Sequence, residues 1–306
     1  MKEKFLRQTW VVCVLAAICC ILWGSAFPAI KMGYRWCGIS AADTGSQVLF
    51  AGCRFTLSGL LVILFGSLLK KEPLRLTKQA IKTVLVLAFF QTILQYFFFY
   101  IGMAHTTGVN GSIITATNVF LSILVASLLL GQEKLDAKKI LGCILGFAGV
   151  VLVNLQNASL EAAFAWNGEG FIFVSAASSA ISAAFIRKYS EKNSPMLLSG
   201  YQFFLGGIVL MLTGMLLGGH IQFHSGASVA SLIYLAALSA VAYTLWGILL
   251  KYNPVSKVTV FGFVNPVAGV VLSALLLNEE GALTWITVFS LVLVSCGIIT
   301  VQKQKN

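Results

Sequence analysis

Apolar stretches of about 20 residues alternate along the chain with short polar or charged breaks. They are Trp10–Ile30, Gln47–Leu69, Ala80–Ile101, Thr107–Leu130, Ile140–Leu155, Gly168–Ile186, Pro195–Gly218, Val229–Leu250, Val255–Leu277 and Leu283–Val301. About 20 helical residues cross the hydrocarbon of a bilayer, where a backbone must close its hydrogen bonds on itself. The pattern therefore predicts an all-α integral membrane protein with ten transmembrane helices. Lys2, Lys4 and Arg7 ahead of the first stretch have the look of a signal-peptide start. The apolar run behind them is longer than a signal-peptide core and nine more come after it, so a retained first helix is expected.

Composition supports this and removes other classes. Apolar residues make up 58% of the chain and charged residues 10%, whereas a soluble domain carries about a quarter charged residues to cover its surface. When alternate breaks are assigned to opposite sides, almost all of the 21 Lys and Arg fall on the side that holds both termini. The exceptions are Lys31 and Arg35, in an external loop, and Arg54, inside the second span. By the positive-inside tendency both termini are expected in the cytoplasm, with the chain multi-pass in the cell membrane. The net charge of +11 is then a property of short loops facing anionic lipid; membrane lipid is an expected partner and nucleic acid is not. Cys13, Cys19, Cys20, Cys53, Cys143 and Cys296 fall in spans and Cys37 in an external loop. Neither a disulfide framework nor a metal-ligand spacing results, and no metal or cofactor is expected.

The chain also repeats itself. Thr117–Glu133 aligns without a gap to Val264–Glu280, pairing Asn118, Leu128, Leu129, Leu130 and Glu133 with Asn265, Leu275, Leu276, Leu277 and Glu280 at a separation of 147. Gly52, Phe55, Leu57 and Gly59 pair with Gly200, Phe203, Leu205 and Gly207 at 148, with Arg54 opposite Gln202. The expected organisation is one repeat of five helices in residues 1–157 and a second in 158–306. Because five is odd, matched helices would cross in opposite directions, an inverted repeat of the kind that underlies alternating access.

"ILWGSAFPAIK" in the first span, "CRF" in the second and the two aligned segments closing on Glu133 and Glu280 resemble the EamA-type transporters of the drug/metabolite transporter superfamily. The resemblance covers nearly the whole chain, including the last helix with Gly297. It implies a bacterial inner-membrane carrier, commonly an exporter of amino acids or other small metabolites. The sequence departs from the family in two places. Pro266 keeps the proline of the ninth span but Val119 stands in the fourth, and Trp23 has no Trp counterpart in the sixth span, where Ser178, Ser179 and Ser182 cluster.

Polar groups facing lipid are costly, so those inside spans should face the bundle or a wet cavity. Gln91 and Gln95 lie one turn apart on the third helix beside Tyr96 and Tyr100, and Tyr243 and Trp246 share a face of the eighth. Asn110, Thr115, Thr117 and Asn118 lie on the fourth helix, and Asn265 precedes Pro266 on the ninth. With Trp23 and Ser182 these form the candidate binding set, a wet pocket with aromatic sides suited to a small polar or zwitterionic solute. Helix-to-helix hydrogen bonding is the competing role for each. Pro266 removes a backbone donor and should kink its helix, which makes it the candidate gate hinge. Arg54 is expected to snorkel to the outer surface; alternatively its guanidinium meets a solute carboxylate or an external acid such as Glu280.

The wider function is read from what the spans lack. No Asp or Glu occupies a span midpoint, which favours a facilitated carrier or exchanger over a proton-coupled drug exporter, the alternative within transport. His105, His220 and His224 all fall in external loops, and neither HExxH nor CxxC occurs, so a membrane-embedded enzyme is not expected; a non-transporting receptor is the other alternative. Gly142 and Gly146 have the four-residue spacing of close helix contacts, and a homodimer contact is left open.

Overall fold

The computed structural model describes residues 2–40, 42–106, 108–155, 165–223, 225–277 and 285–302. The predicted positions Glu280 and His224, and the side chain of Asn110, lie outside what it describes. Helical runs fall on all ten predicted stretches. α1 is Thr9–Cys37, α2 is Thr44–Lys70, and α3 runs from Lys78–Leu87 through a π segment, Ala88–Leu94, into Gln95–Ala104. α4 is Gly108–Leu124 with a π turn at Val125–Leu129, and α5 is Ala137–Leu155. α6 opens on a π turn, Trp166–Gly170, and continues as Phe171–Ser190; α7 is Pro195–Leu216 and α8 is Gly226–Tyr252. α9 is Val255–Thr259, a 3₁₀ segment Val260–Phe263 and Val264–Leu277, and α10 is Trp285–Gln302. Among the described residues seven helices are long and apolar enough to cross a membrane, and a shorter apolar helix covers Ile113–Leu129. Apolar side chains such as Leu68, Leu128 and Phe289 stay exposed on the outside, as lipid contact requires.

One boundary differs from expectation. α1 spans 29 residues, about 43 Å at 1.5 Å per residue, longer than the roughly 30 Å hydrocarbon core. Lys31, Arg35 and Cys37 therefore belong to the helix and not to a loop, and Cys37 is buried. Gly38 ends α1 in the left-handed conformation at φ 69°.

The closest packing joins early helices to late ones. α2 presents Gly45, Gly52, Gly59 and Gly66 at seven-residue spacing, and α7 presents Gly200, Gly207 and Gly214 at the same spacing. A Cβ at Gly52 would stand 2.4 Å from the Met211 nitrogen, one at Gly59 2.3 Å from the Phe204 nitrogen, and one at Gly207 2.3 Å from the Thr56 nitrogen. These are backbone atoms, so the two main chains touch where a side chain would have held them apart. The neighbours descend from Gly219 to Met196 as α2 is traced from Gly45 to Gly66, so α2 and α7 run antiparallel. α5 and α10 repeat the arrangement: Gly142 meets Val301 and Gly297, and Gly149 meets Ser290. The Gly142 and Gly146 seam is thus filled from within the chain.

The end of the bundle that carries the described termini is laced together by polar contacts. The Glu133 carboxylate, in the turn after α4, accepts the Ser256 N–H at 2.9 Å and its hydroxyl at 2.6 Å, and pairs with Lys139 at 3.1 Å. It caps the start of α9 and neutralises a lysine that is 4% exposed. Gln132 donates to the Ala184 carbonyl, Arg187 to that of Asn253, Asn253 to that of Leu6, and Gln302 to that of Lys257.

Gly59→Ala and Gly207→Ala are each expected to lower the thermal midpoint of the purified protein in detergent, because a methyl group there meets backbone that cannot step aside. Gly226→Ala, with nothing within 4 Å, should leave it unchanged. Glu133→Ala strands the buried Lys139 charge, and a destabilisation of about 3 kcal/mol is expected in the same measurement.

Candidate functional site

A cavity of about 160 Å³ lies at the centre of the bundle. For scale, a cavity of roughly 150 Å³ takes a benzene-sized guest. Trp23 of α1 and Tyr243 and Trp246 of α8 form one aromatic wall, with Trp23 4.9 Å from each of the other two rings. Arg54 of α2, Gln91, Gln95, Tyr96 and Phe99 of α3, and Thr115 and Asn118 of α4 contribute further lining. Ser175 and Ser179 of α6 and Thr259, Gly262, Asn265 and Pro266 of α9 complete it.

Irregular helix turns set the polar side chains. The π segment of α3 contains Gln91 and ends at Gln95, and its wide turn leaves the Phe90 carbonyl accepting both the Gln95 N–H and the Ser178 hydroxyl, the latter at 2.7 Å. Such single wide turns occur often where a helix must aim functional groups. α9 changes to 3₁₀ geometry directly before Asn265–Pro266. Pro266 has no N–H to give to the Gly262 carbonyl one turn back, and Gly262 lines the cavity.

Arg54 does not snorkel. It is 3% exposed and lines the cavity. α2 begins at Thr44, capped by the Asp43 carboxylate accepting the Ser46 N–H at 2.9 Å. Arg54 consequently lies ten residues along the helix, about 15 Å from its start, too deep for the guanidinium to reach the surface. Its Nε donates to Ser239 Oγ at 3.0 Å, and that hydroxyl is turned by donating to the Leu235 carbonyl at 2.9 Å. The guanidinium carbon stands 5.0 Å from the Phe55 ring centroid. Among the described residues no carboxylate lies within ion-pair reach of Arg54.

Three candidates fall outside the lining: Tyr100, Ser182 and Thr117, whose hydroxyl donates to the Ile114 carbonyl of its own helix at 2.5 Å. Tyr100 lies one α turn beyond Tyr96 and is buried beside Tyr34, facing Arg54. Ser182 is fully buried and donates to the Ser179 carbonyl at 2.7 Å, a bond within its own helix. Asn118 performs both weighed roles, lining the cavity while its Nδ2 donates to the Ala176 carbonyl at 3.0 Å. Ser175, Phe99, Thr259 and Gly262 were not singled out by sequence. Ser175 lies one turn before Ser179 on α6, the spacing that would have pointed to it. Several cavity atoms lack partners: Trp23 Nε1, Gln95 Oε1 and Asn265 Oδ1 are buried without a hydrogen bond. Buried polar atoms are ordinarily satisfied, so these await water or a solute.

Below this wall, contacts recur in pairs. Arg54 with Ser239 has its counterpart in Gln202 donating to Gln91, since positions 54 and 202, and 91 and 239, are each 148 apart. The Tyr96 and Tyr243 hydroxyls bond to each other across a separation of 147. Phe55 and Phe203, also 148 apart, pack at 5.3 Å, and each meets a tyrosine, Phe55–Tyr96 at 4.3 Å and Phe203–Tyr243 at 4.9 Å.

The sequence profile of the EamA-like transporter family matches residues 10–155 and again 166–302. The chain belongs to that family. This EamA-family chain is 27% identical over 308 residues to an "Uncharacterized transporter" of Archaeoglobus fulgidus, covering 97% of this chain and all of that protein. It is 27% identical over 304 residues to a "Probable amino-acid metabolite efflux pump" of Escherichia coli, covering 93% and 92%. A solved crystal structure superposes with a TM-score of 0.77 at 16% identity, covering 94% of this chain and 95% of that one, a likeness of fold. The EamA chain is accordingly a multi-pass membrane transporter for a small-molecule solute, and not an enzyme.

Tyr96→Phe and Tyr243→Phe each remove one member of the shared hydroxyl pair. A double-mutant cycle on thermal stability in detergent should return a coupling of about 1 kcal/mol; strictly additive losses would show that the two hydroxyls do not bond.

Proposed function

We propose that this EamA-family protein carries a small polar or zwitterionic metabolite, an amino acid or related solute, out of the cell by alternating access. The observation that carries the reading is the central cavity, where a cation, five aromatic side chains and unpartnered polar atoms converge within a transporter fold. The relative named for amino-acid metabolite efflux supports the solute class and the direction. Both termini are cytoplasmic in this proposal, which puts the Glu133 cluster at the cytoplasmic end and places the chain in the bacterial inner membrane.

The mechanism we infer uses residues 1–157 and 158–306 as inverted repeats. The two profile matches, the antiparallel run of α2 against α7 and of α5 against α10, and the recurrence of contacts at separations of 147 and 148 support it. Equivalent residues in unlike surroundings are what a single access state requires. Asn118 is bonded to α6 while Asn265, its counterpart, has a free Oδ1. Exchanging those surroundings between the repeats would open the cavity to the other side. Release of the Glu133–Ser256 contact and flexing of α9 at Pro266 would accompany it. Among the described residues none that lines the cavity is a carboxylate, which favours a uniporter or exchanger over proton coupling.

The test is counterflow with purified protein in liposomes. Accumulation of a labelled amino acid driven by the same unlabelled solute inside, saturable and unaffected by a pH gradient, is expected. Unsaturable flux would indicate a channel, and absence of flux for amino acids, hydroxy acids and nucleobases alike would remove the carrier reading.

A further inference from the structure

We propose that the solute is a small monocarboxylate bearing a hydrogen-bond donor at its other end, its carboxylate held by Arg54 and its donor by Gln95 Oε1 and Asn265 Oδ1. This rests on the carrier reading and names the chemistry of the same cavity.

Charge comes first. Among the described residues, Arg54 is the sole Lys or Arg lining the cavity and no Asp or Glu lines it. A buried cation without a counter-ion is costly, and pairing with a carboxylate relieves that cost. A dianion such as a phosphate monoester would bring two negative charges to one guanidinium, leaving one uncompensated. An amine without an acid group would place two positive charges in one small chamber.

Geometry points the same way. The guanidinium Nε is committed to Ser239, and the Tyr100 hydroxyl lies near the fork. The Ser239 hydroxyl gives its hydrogen to Leu235 and so can only accept from Arg54, which fixes the plane of the fork. The two terminal nitrogens carry the other N–H groups, enough for a bidentate carboxylate beside the tyrosine, the pairing that a planar fork favours. Ser239 does not line the cavity, so its role is to position. At the equivalent place in the second half, Gln202 and Gln91 form a neutral pair, and the cavity has a charged side and an uncharged one. Gln95 Oε1 and Asn265 Oδ1, both acceptors without a donor, suit an ammonium, hydroxyl or amide N–H. With about 160 Å³ available, the fit is to solutes of roughly five to ten heavy atoms.

The experiment compares matched pairs, lactate with lactamide, alanine with alaninamide and serine with serinamide, with phosphoserine as the dianion. Binding is read as ligand-induced thermal stabilisation of the detergent-purified protein, and counterflow is read in liposomes. Wild type should prefer each acid over its amide by about tenfold to a hundredfold, the range for a charge-assisted pair, and should reject phosphoserine. R54Q should abolish the preference while retaining the weak amide binding. R54K should keep part of it, and S239A should reduce it several-fold. Equal binding of acid and amide by wild type overturns the proposal without reference to any variant, as does an R54Q protein that keeps the preference. Saturable counterflow with no acid preference would defeat this inference and leave the carrier reading standing; acid-selective binding without counterflow would do the reverse.

Discussion

Main-chain contact between α2 and α7 organises the bundle. Lipid supplies no hydrophobic force to drive helices together, so their association depends on close packing and on polar groups that find one another. Glycines every seven residues on both helices let the two backbones meet along several turns. That contact brings Phe55 against Phe203 and sets Arg54 and Gln202 on opposite flanks of the seam, each reaching a polar residue on a third helix. α3 and α8 are thereby drawn in, their tyrosines meet, and the space beside the meeting point becomes the cavity. α5 and α10 make a second glycine seam, away from the cavity lining, and close the bundle.

Polar groups with only one place to go explain much of the remaining order. At two places a backbone group left over at a helix turn or start is answered by a side chain from elsewhere in the bundle. Ser178 caps the widened turn of α3 and Glu133 the start of α9. Exceptions are scattered through the bundle, and three of them, on Trp23, Gln95 and Asn265, lie on the cavity wall. Those on the wall face a space that a solute can enter, which distinguishes them from the rest.

The helices and the repeat were legible in the sequence because lipid permits so few alternatives: a run of apolar residues must be helical, and a second copy keeps its spacing. Trp23, Gln91, Gln95, Tyr243, Trp246 and Asn265 could be found as polar or amphipathic groups inside spans. The depth of Arg54 could not be read, because it depends on α2 starting at the Asp43 cap, ahead of the apolar run, and on the α7 contact that encloses it. Tyr100 and Ser182 escaped for other reasons. Helical spacing assigns a face but not a depth: Tyr100 shares the face of Tyr96, one turn further along, where it is buried beside Tyr34. The Ser182 hydroxyl is taken up by a carbonyl of its own helix, an outcome that residue type alone does not disclose. Ser175 and Thr259 looked like ordinary packing hydroxyls, and only the tertiary arrangement distinguishes them.

The bond between Tyr96 and Tyr243 has a thermodynamic consequence under the proposed exchange of repeats. A contact between equivalent positions is its own image: when the halves trade conformations, each tyrosine inherits the surroundings of the other and the pair is restored. Its energy then enters both orientations of the carrier equally and drops out of the balance between them. Weakening it should loosen the whole bundle without tilting the door either way, whereas a contact between non-equivalent positions, such as Glu133 with Ser256, can bias which side stands open.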